Sequence, residues 1–358
     1  MNRTFTKLDS QAMKGAAILL MLLHHLFYSA DSSHGIAVTY LLFEPKQMVA
    51  FARFCKICVP AFVFVTAYGM TLKYNTSEQG GKSIAKLTIE QYVSLMVSFL
   101  FVYVLALVFC QISGMRDWKE VYGTGARSVL YAFLDMAGMT YFTETPTINP
   151  TWWYMSVAVM LIFLLPFMWR LVKKTGFLPI PLLAAGMLAA GLSRNQALLC
   201  ILTAFVGVWC AEKEIFKKVE QIFEKKTWYG WMEFFLYWGS LSLMLALKLK
   251  TGNQLWIVVY PVSAFALAGI FSRVKKDDPL YRVLCFFGKY SMGMFLTHTF
   301  IKSYYLHDFV YGFHYAVLIY AVLILISTAL SAALLSLEKA FRRKFKVNER
   351  LLNRITNI

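Results

Sequence analysis

The chain has 358 residues, 59% hydrophobic and 15% charged, with a formal net charge of +17. Ordinary soluble domains run at about 45–50% apolar and about 25% charged, so this balance excludes one. The cations stand in short connections between apolar segments, a distribution that speaks for membrane topology and against nucleic acid as a partner.

Ten apolar segments follow in chain order, at residues 12–30, 48–72, 87–111, 151–171, 178–192, 196–209, 231–247, 254–271, 284–305 and 313–337. A membrane crossing needs about 20 residues, so the fifth and sixth are short. The expected fold is an all-α polytopic membrane protein, a bundle of about ten transmembrane helices. Lysine and arginine collect in alternate connections, beginning with Arg3, Lys7 and Lys14, then Lys73, Lys82 and Lys86, then Arg170, Lys173 and Lys174. The alternation continues to the end of the chain and predicts that the N- and C-termini are both cytoplasmic. One membrane domain is expected over residues 1–345, with a basic cytoplasmic tail over 346–358.

The first segment reads KGAAILLMLLHHLFY from Lys14 to Tyr28. Tyr28 spoils the small-residue pattern of a leader cleavage site near Ala30, so the segment is read as a retained helix. Its cation and its two histidines, His24 and His25, do not belong in hydrocarbon. A charged side chain there costs roughly 2.5–3.5 kcal/mol and is a functional hypothesis by default. Lys14 and His25 are eleven residues apart, which at ~100° per residue is three turns plus about 20°, so they share a face about 16 Å apart along the axis. His24 lies about 80° away.

The second segment opens with Arg53 and Lys56, which either snorkel to the interface or line a polar cavity and bind an anionic group. Cys55 and Cys58 make a CxxC with no second pair, so all six cysteines are read as small buried hydrophobes, with no metal site and no bound cofactor expected. The long connection over residues 112–150 carries an apolar patch at 129–142 with Asp135. It is too short to span and is expected to be interfacial or re-entrant. It ends in Asn149-Pro150-Thr151-Trp152-Trp153-Tyr154. That cluster is either an aromatic belt or a platform on which Trp152 and Trp153 stack a sugar.

The ninth segment reads GKYSMGMFLTHTFIK and carries Ser291 and His298 seven residues apart on one face, with Lys302 a turn beyond. A lone histidine on an apolar helix is usually a packed residue with a satisfied hydrogen bond. Here His25 and His298 fall at one depth, roughly 17–21 Å from the same side, with Lys14 below them. The three outline a polar funnel suited to acyl transfer. Lysine can hold the phosphates of a CoA donor, and a histidine can take the proton of an incoming hydroxyl or carry the acyl group itself. The residues do not choose between these two chemistries.

In these stretches the chain resembles the integral-membrane acyltransferase 3 family, which includes O-acetyltransferases of bacterial cell-surface glycans. KGAAILLMLLHH is similar to the family's arginine, ten residues, then histidine. VPAFVFVTAYGM is similar to its aromatic run ending in Ser-Gly-Tyr, and GKYSMGMFLTHTFI to its late Gly-Lys-x-Ser pattern with a following histidine. Three positions depart: Lys14 stands for the arginine, Thr66-Ala67 for Ser-Gly, and Ala158 for an acidic residue that often follows Ser156-Val157. The resemblance implies a bacterial plasma-membrane enzyme that moves an acyl group, acetyl above all, from cytoplasmic acetyl-CoA or another acyl-CoA to a hydroxyl of a glycan or lipid-linked sugar. It implies His25 as the principal catalytic residue, with His24 and His298 in support. Lys14, Arg53, Lys56, Trp152, Trp153 and Ser291 are the expected substrate contacts. Membrane lipids, a second copy of the chain and polysaccharide-assembly proteins are the further partners considered. Two rivals stand beside this reading: a transporter or flippase for a polysaccharide precursor, and a non-catalytic component of an export complex.

Overall fold

The structure is a computed structural model and describes residues 5–41, 43–81, 83–223, 229–252 and 254–345; the basic tail expected at 346–358 lies outside them. In chain order the helices are α1 (Lys7–Phe27), α2 (Pro45–Phe54), α3 (Cys58–Gln79), α4 (Ile84–Ser113), α5 (Trp118–Tyr122), α6 (Ala126–Met136), α7 (Thr140–Thr143), α8 (Trp153–Thr175) and α9 (Pro179–Ala189). There follow α10 (Gln196–Glu212), α11 (Ile215–Phe223), α12 (Tyr229–Phe234), α13 (Ser240–Thr251), α14 (Trp256–Arg273), α15 (Pro279–Thr299), α16 (His307–Tyr311) and α17 (Ala316–Phe345). There is no β-strand among the described residues, only one isolated bridge between Thr39 and Tyr315.

Six stretches among the described residues are long and apolar enough to cross a membrane: Pro45–Gln79, Ile84–Ser113, Pro150–Thr175, Trp231–Thr251, Trp256–Arg273 and Ala316–Phe345. The other four expected segments are helical too, but differ in kind. α1 and α15 have 21 residues each, about 31 Å at 1.5 Å per residue, but carry the polar residues of the site. α9 has 11 residues, and the 17 residues of α10 are buried along most of their length against α3, α8 and α14. Most of α9 is exposed, and both helices lie at or below the short end of the about 17–25 residues of a crossing.

The pair α1 and α15 is the axis of the molecule. Thr6 caps α1 through a reciprocal pair with Asp9, and the buried Asp9 carboxylate pairs with Lys276 and accepts from the Tyr281 hydroxyl at 2.8 Å. That clamps the start of α1 to the start of α15. One turn on, a Cβ at Gly15 would lie 1.8 Å from the Leu284 carbonyl oxygen, and one at Gly288 would lie 1.9 Å from that of Gln11. Only hydrogen fits at either place, so the two backbones touch. In a membrane, where lipid is as apolar as leucine, such close packing of small residues is what holds helices together. His25 is ten residues beyond Gly15, and His298 is ten beyond Gly288. Equal offsets on parallel helices bring the two rings to one depth.

α2 and α3 are one apolar rod interrupted by a 3-10 turn at Cys55–Ile57. Pro60 explains the interruption, because it offers no N–H to the carbonyl of residue 56 and its ring crowds that oxygen. The turn carries Lys56 and delivers it to the interior. The patch expected as one interfacial helix is instead two short ones, α6 and α7, separated at Gly138 with φ +67°. The buried Asp135 organises this connection by accepting from the Tyr122 hydroxyl at 2.6 Å, the Thr147 hydroxyl at 2.8 Å and the Ile148 amide at 2.8 Å. Burial pushes its carboxyl above the usual carboxylate range, against the pull of these three donors.

Basic residues of the connections tie helix ends together. Lys276 meets Asp9, and Lys173 meets Glu78. Arg53 donates to the Tyr28 carbonyl at 2.9 Å, beyond the other end of α1.

Candidate active site

A cavity of about 480 Å³ runs through the bundle between α1, α3, α4, α8 and α15. Lys14 and Gln91 line one end, His24 and His25 lie further along, and Lys56, Trp153, Tyr141 and Gln196 complete the other parts of the wall. Its volume is in the range of small-molecule sites, about 300–1,000 Å³. Lys14 and His25 therefore share one lumen, as their eleven-residue spacing on one helix face requires.

The three histidines are in contact. The His25 ring lies 4.9 Å from that of His298 and 5.0 Å from that of His24, between centroids. His24 turns its Nδ1 to the Ala52 carbonyl at 2.8 Å, just ahead of the α2–α3 break. A carbonyl only accepts, so Nδ1 carries the proton and Nε2 keeps a lone pair. His298 is wholly buried, and its Nδ1 faces the carbonyls of Phe295 at 2.9 Å and Met294 at 3.2 Å, so it too is protonated at Nδ1. His298 does not line the cavity; it backs His25. The His25 ring makes no hydrogen bond among the described residues, and its nitrogens are the ones left for a substrate.

A polar chain supports His298 from behind. The Thr299 hydroxyl lies 3.2 Å from its Nε2 and 3.0 Å from the Thr151 hydroxyl, which donates to the Asn149 side-chain oxygen at 2.8 Å. Asn149 also donates to the Leu296 carbonyl at 3.3 Å, tying the end of the long connection to α15. Asn149 and Thr151 escaped the reading of the residues alone. Their signal was Asn-Pro-Thr, an Asx turn in which the Asn149 side chain accepts from the Thr151 amide at 3.1 Å.

The two tryptophans part company. Trp153 lines the cavity beside Tyr141 at 5.7 Å and Tyr154 at 6.0 Å. Trp152 points the other way, packs on Phe99 at 5.1 Å and donates to the Leu296 carbonyl at 3.1 Å. Arg53 likewise lies outside the lumen, exposed and bonded to Tyr28. Lys56 lines the lumen, and so does Ser291, whose hydroxyl donates to the Gly288 carbonyl of its own helix at 2.9 Å. Thr66 and Ala158, at two of the positions where the motifs depart, are also wall residues.

No curated protein and no solved structure matches the chain. Among known families, residues 8–336 match the acyltransferase 3 family, whose description is an acyltransferase domain. That match covers nearly every helix that builds the cavity, and the chain belongs to the acyltransferase 3 family of membrane acyltransferases.

Proposed function

We propose that the protein moves an acyl group, acetyl in the first instance, from acyl-CoA on the cytoplasmic side to a hydroxyl of a cell-surface or exopolysaccharide glycan. The observation that carries this reading is the single lumen joining Lys14 to His25. The Lys14 end then faces the cytoplasm, in keeping with the basic connections gathered there, and the Trp153 end faces the acceptor in a bacterial plasma membrane.

Lys14 holds donor phosphates as a point charge, and the donor's thioester lies along the lumen toward His25. A ring nitrogen of His25 takes the proton of the acceptor hydroxyl as that oxygen attacks the thioester carbonyl carbon. The new C–O bond forms, the C–S bond breaks with its electron pair on sulfur, and the CoA sulfur receives the proton from His25. No net proton is consumed. His24 and His298 each spend their Nδ1 proton on a backbone carbonyl, so they hold the His25 ring in place and leave the proton transfer to it. Trp153, Tyr141 and Tyr154 offer ring faces on which a sugar can stack.

The test uses purified protein in liposomes, acetyl-CoA labelled in the acetyl group, and a cell-envelope extract as acceptor. Release of free CoA with label in the glycan supports the reading. Movement of unmodified glycan precursor across the vesicle with no demand for acyl-CoA would favour the transporter.

A further inference from the structure

The charge of the lumen is one-sided. Its wall holds Lys14, Lys56, His24 and His25, with no aspartate or glutamate among the described residues. Lys302 is buried four residues beyond His298, in the turn that continues α15. Among the described residues no side chain of Lys14, Lys56 or Lys302 makes an ion pair or a hydrogen bond. Lys302 is buried and Lys14 and Lys56 are half-buried around the lumen, and positive charge held there without a counter-ion favours an anion brought by a ligand.

The three cations form two groups. Lys14 stands alone, about 16 Å along α1 from His25, where the donor phosphates go. Lys56 and Lys302 belong to the reacting end: Lys56 shares the lumen wall with His24 and His25, and Lys302 stands one turn beyond His298, whose ring lies 4.9 Å from that of His25. Each is held there by an irregular turn: Lys56 by the 3-10 turn ahead of Pro60, and Lys302 by a π-turn at Phe300–Tyr305 that continues α15. Such π-turns are frequent at functional sites. Arg53 extends the positive charge from Lys56 and His24 to the exposed face opposite Lys14. A path of cations thus leads from the acceptor side to the histidines.

We infer that the acceptor is anionic: it carries a phosphate or carboxylate that Lys56 meets in the lumen beside the hydroxyl to be acylated, with Lys302 adding positive charge from behind the wall. This rests on the acyl-transfer reading and adds the acceptor's chemical class. Ammonium groups bind either anion as point charges, so the shared chemistry is a compact anion near the sugar hydroxyl.

The experiment splits the envelope glycans on an anion exchanger and offers the retained and unretained fractions separately, with labelled acetyl-CoA, to the protein in liposomes. Label is expected in the retained fraction. Carbodiimide reduction of carboxyls and mild-acid cleavage of phosphate esters then separate the two sources of charge, because only the one that matters abolishes acceptance. Lys56→Gln and Lys302→Gln should each raise the KM for the retained acceptor about tenfold or more, well beyond any change in the KM for acetyl-CoA, with Lys56→Arg restoring most of the loss. Label in the unretained fraction overturns the inference while leaving acyl transfer intact. So does transfer with succinyl-CoA and not acetyl-CoA, which would put the anion on the donor. No transfer to either fraction from either donor overturns the acyl-transfer reading, and the anionic acceptor with it.

Discussion

Gly288→Ala tests whether the backbone contact of α1 and α15 sets the catalytic geometry. The added methyl would lie 1.9 Å from the Gln11 carbonyl oxygen, against about 3.4 Å for ordinary contact, a shortfall of 3.4 − 1.9 = 1.5 Å. The obstacle is backbone on a helix whose start is clamped by Asp9, so no side chain can swing away to make room. The helices must part by about that distance, and the His25 and His298 rings, ten residues further along both, must shift with them. A misplacement of about 1 Å in a reacting group can cost about 10²-fold in rate, so kcat should fall roughly a hundredfold. The assay is transfer from labelled acetyl-CoA in liposomes, run beside thermal unfolding in detergent. Gly69→Ala is the control, because nothing lies within 4 Å of a Cβ there. It should keep its activity and gain up to about 1 kcal/mol of helix propensity. A wild-type rate in Gly288→Ala would refute the idea that this crossing positions the histidines.

Other outcomes follow from the same geometry. Lys14→Arg should keep transfer and Lys14→Glu should raise the KM for acetyl-CoA beyond measurement, because the change replaces an attraction to phosphate with a repulsion; equal rates in both variants would remove Lys14 from the donor site. Trp153→Ala should raise the KM for the glycan and leave unfolding near wild type, whereas Trp152→Ala should lower the unfolding temperature first, since it removes a buried ring worth about 3–5 kcal/mol in a core. Asp135→Ala strands three donors in the long connection and should cost about 3 kcal/mol, visible as a lower unfolding temperature. Asp135→Asn should recover most of that, because the Thr147 hydroxyl can turn to the Asn149 carbonyl at 3.1 Å. Asp135 also gives a sign in pH. Its folded carboxyl titrates above the unfolded value of about 3.9, so its contribution to stability is fullest below that value and is lost as pH rises through the folded one. Asp135→Asn should flatten that part of the melting curve against pH.

Much of the site was legible because helical periodicity is rigid. Lys14 and His25 share a face whenever residues 14–25 are helical, and two parallel helices starting at one face bring His25 and His298 to one depth. What stayed hidden depended on which way a neighbouring residue turns. Trp152 and Trp153 are adjacent in sequence, but a 3-10 turn at Pro150–Trp152 ends between them and sends one ring into the packing and the other into the lumen. Arg53 and Lys56 are three apart, which on an unbroken helix would put them on one side; the break ahead of Pro60 separates them. The Asn149–Thr151–Thr299–His298 chain joins residues about 150 positions apart, and no local pattern announces it. The segments at 178–192 and 196–209 are as apolar as the six longer stretches, and composition does not separate them, because a helix buried in protein, as α10 is, and one bathed in lipid ask for the same residues; they differ from the six in length.

The central claim is that His25 performs acyl transfer in a lumen shared with Lys14. Its most direct test is release of CoA and label transfer from acetyl-labelled acetyl-CoA by wild type and His25→Ala, side by side in liposomes with an envelope acceptor. The account predicts turnover in wild type and its loss by a factor of at least about 10² in His25→Ala, with the variant folded and still binding acetyl-CoA. Full turnover in His25→Ala would contradict it.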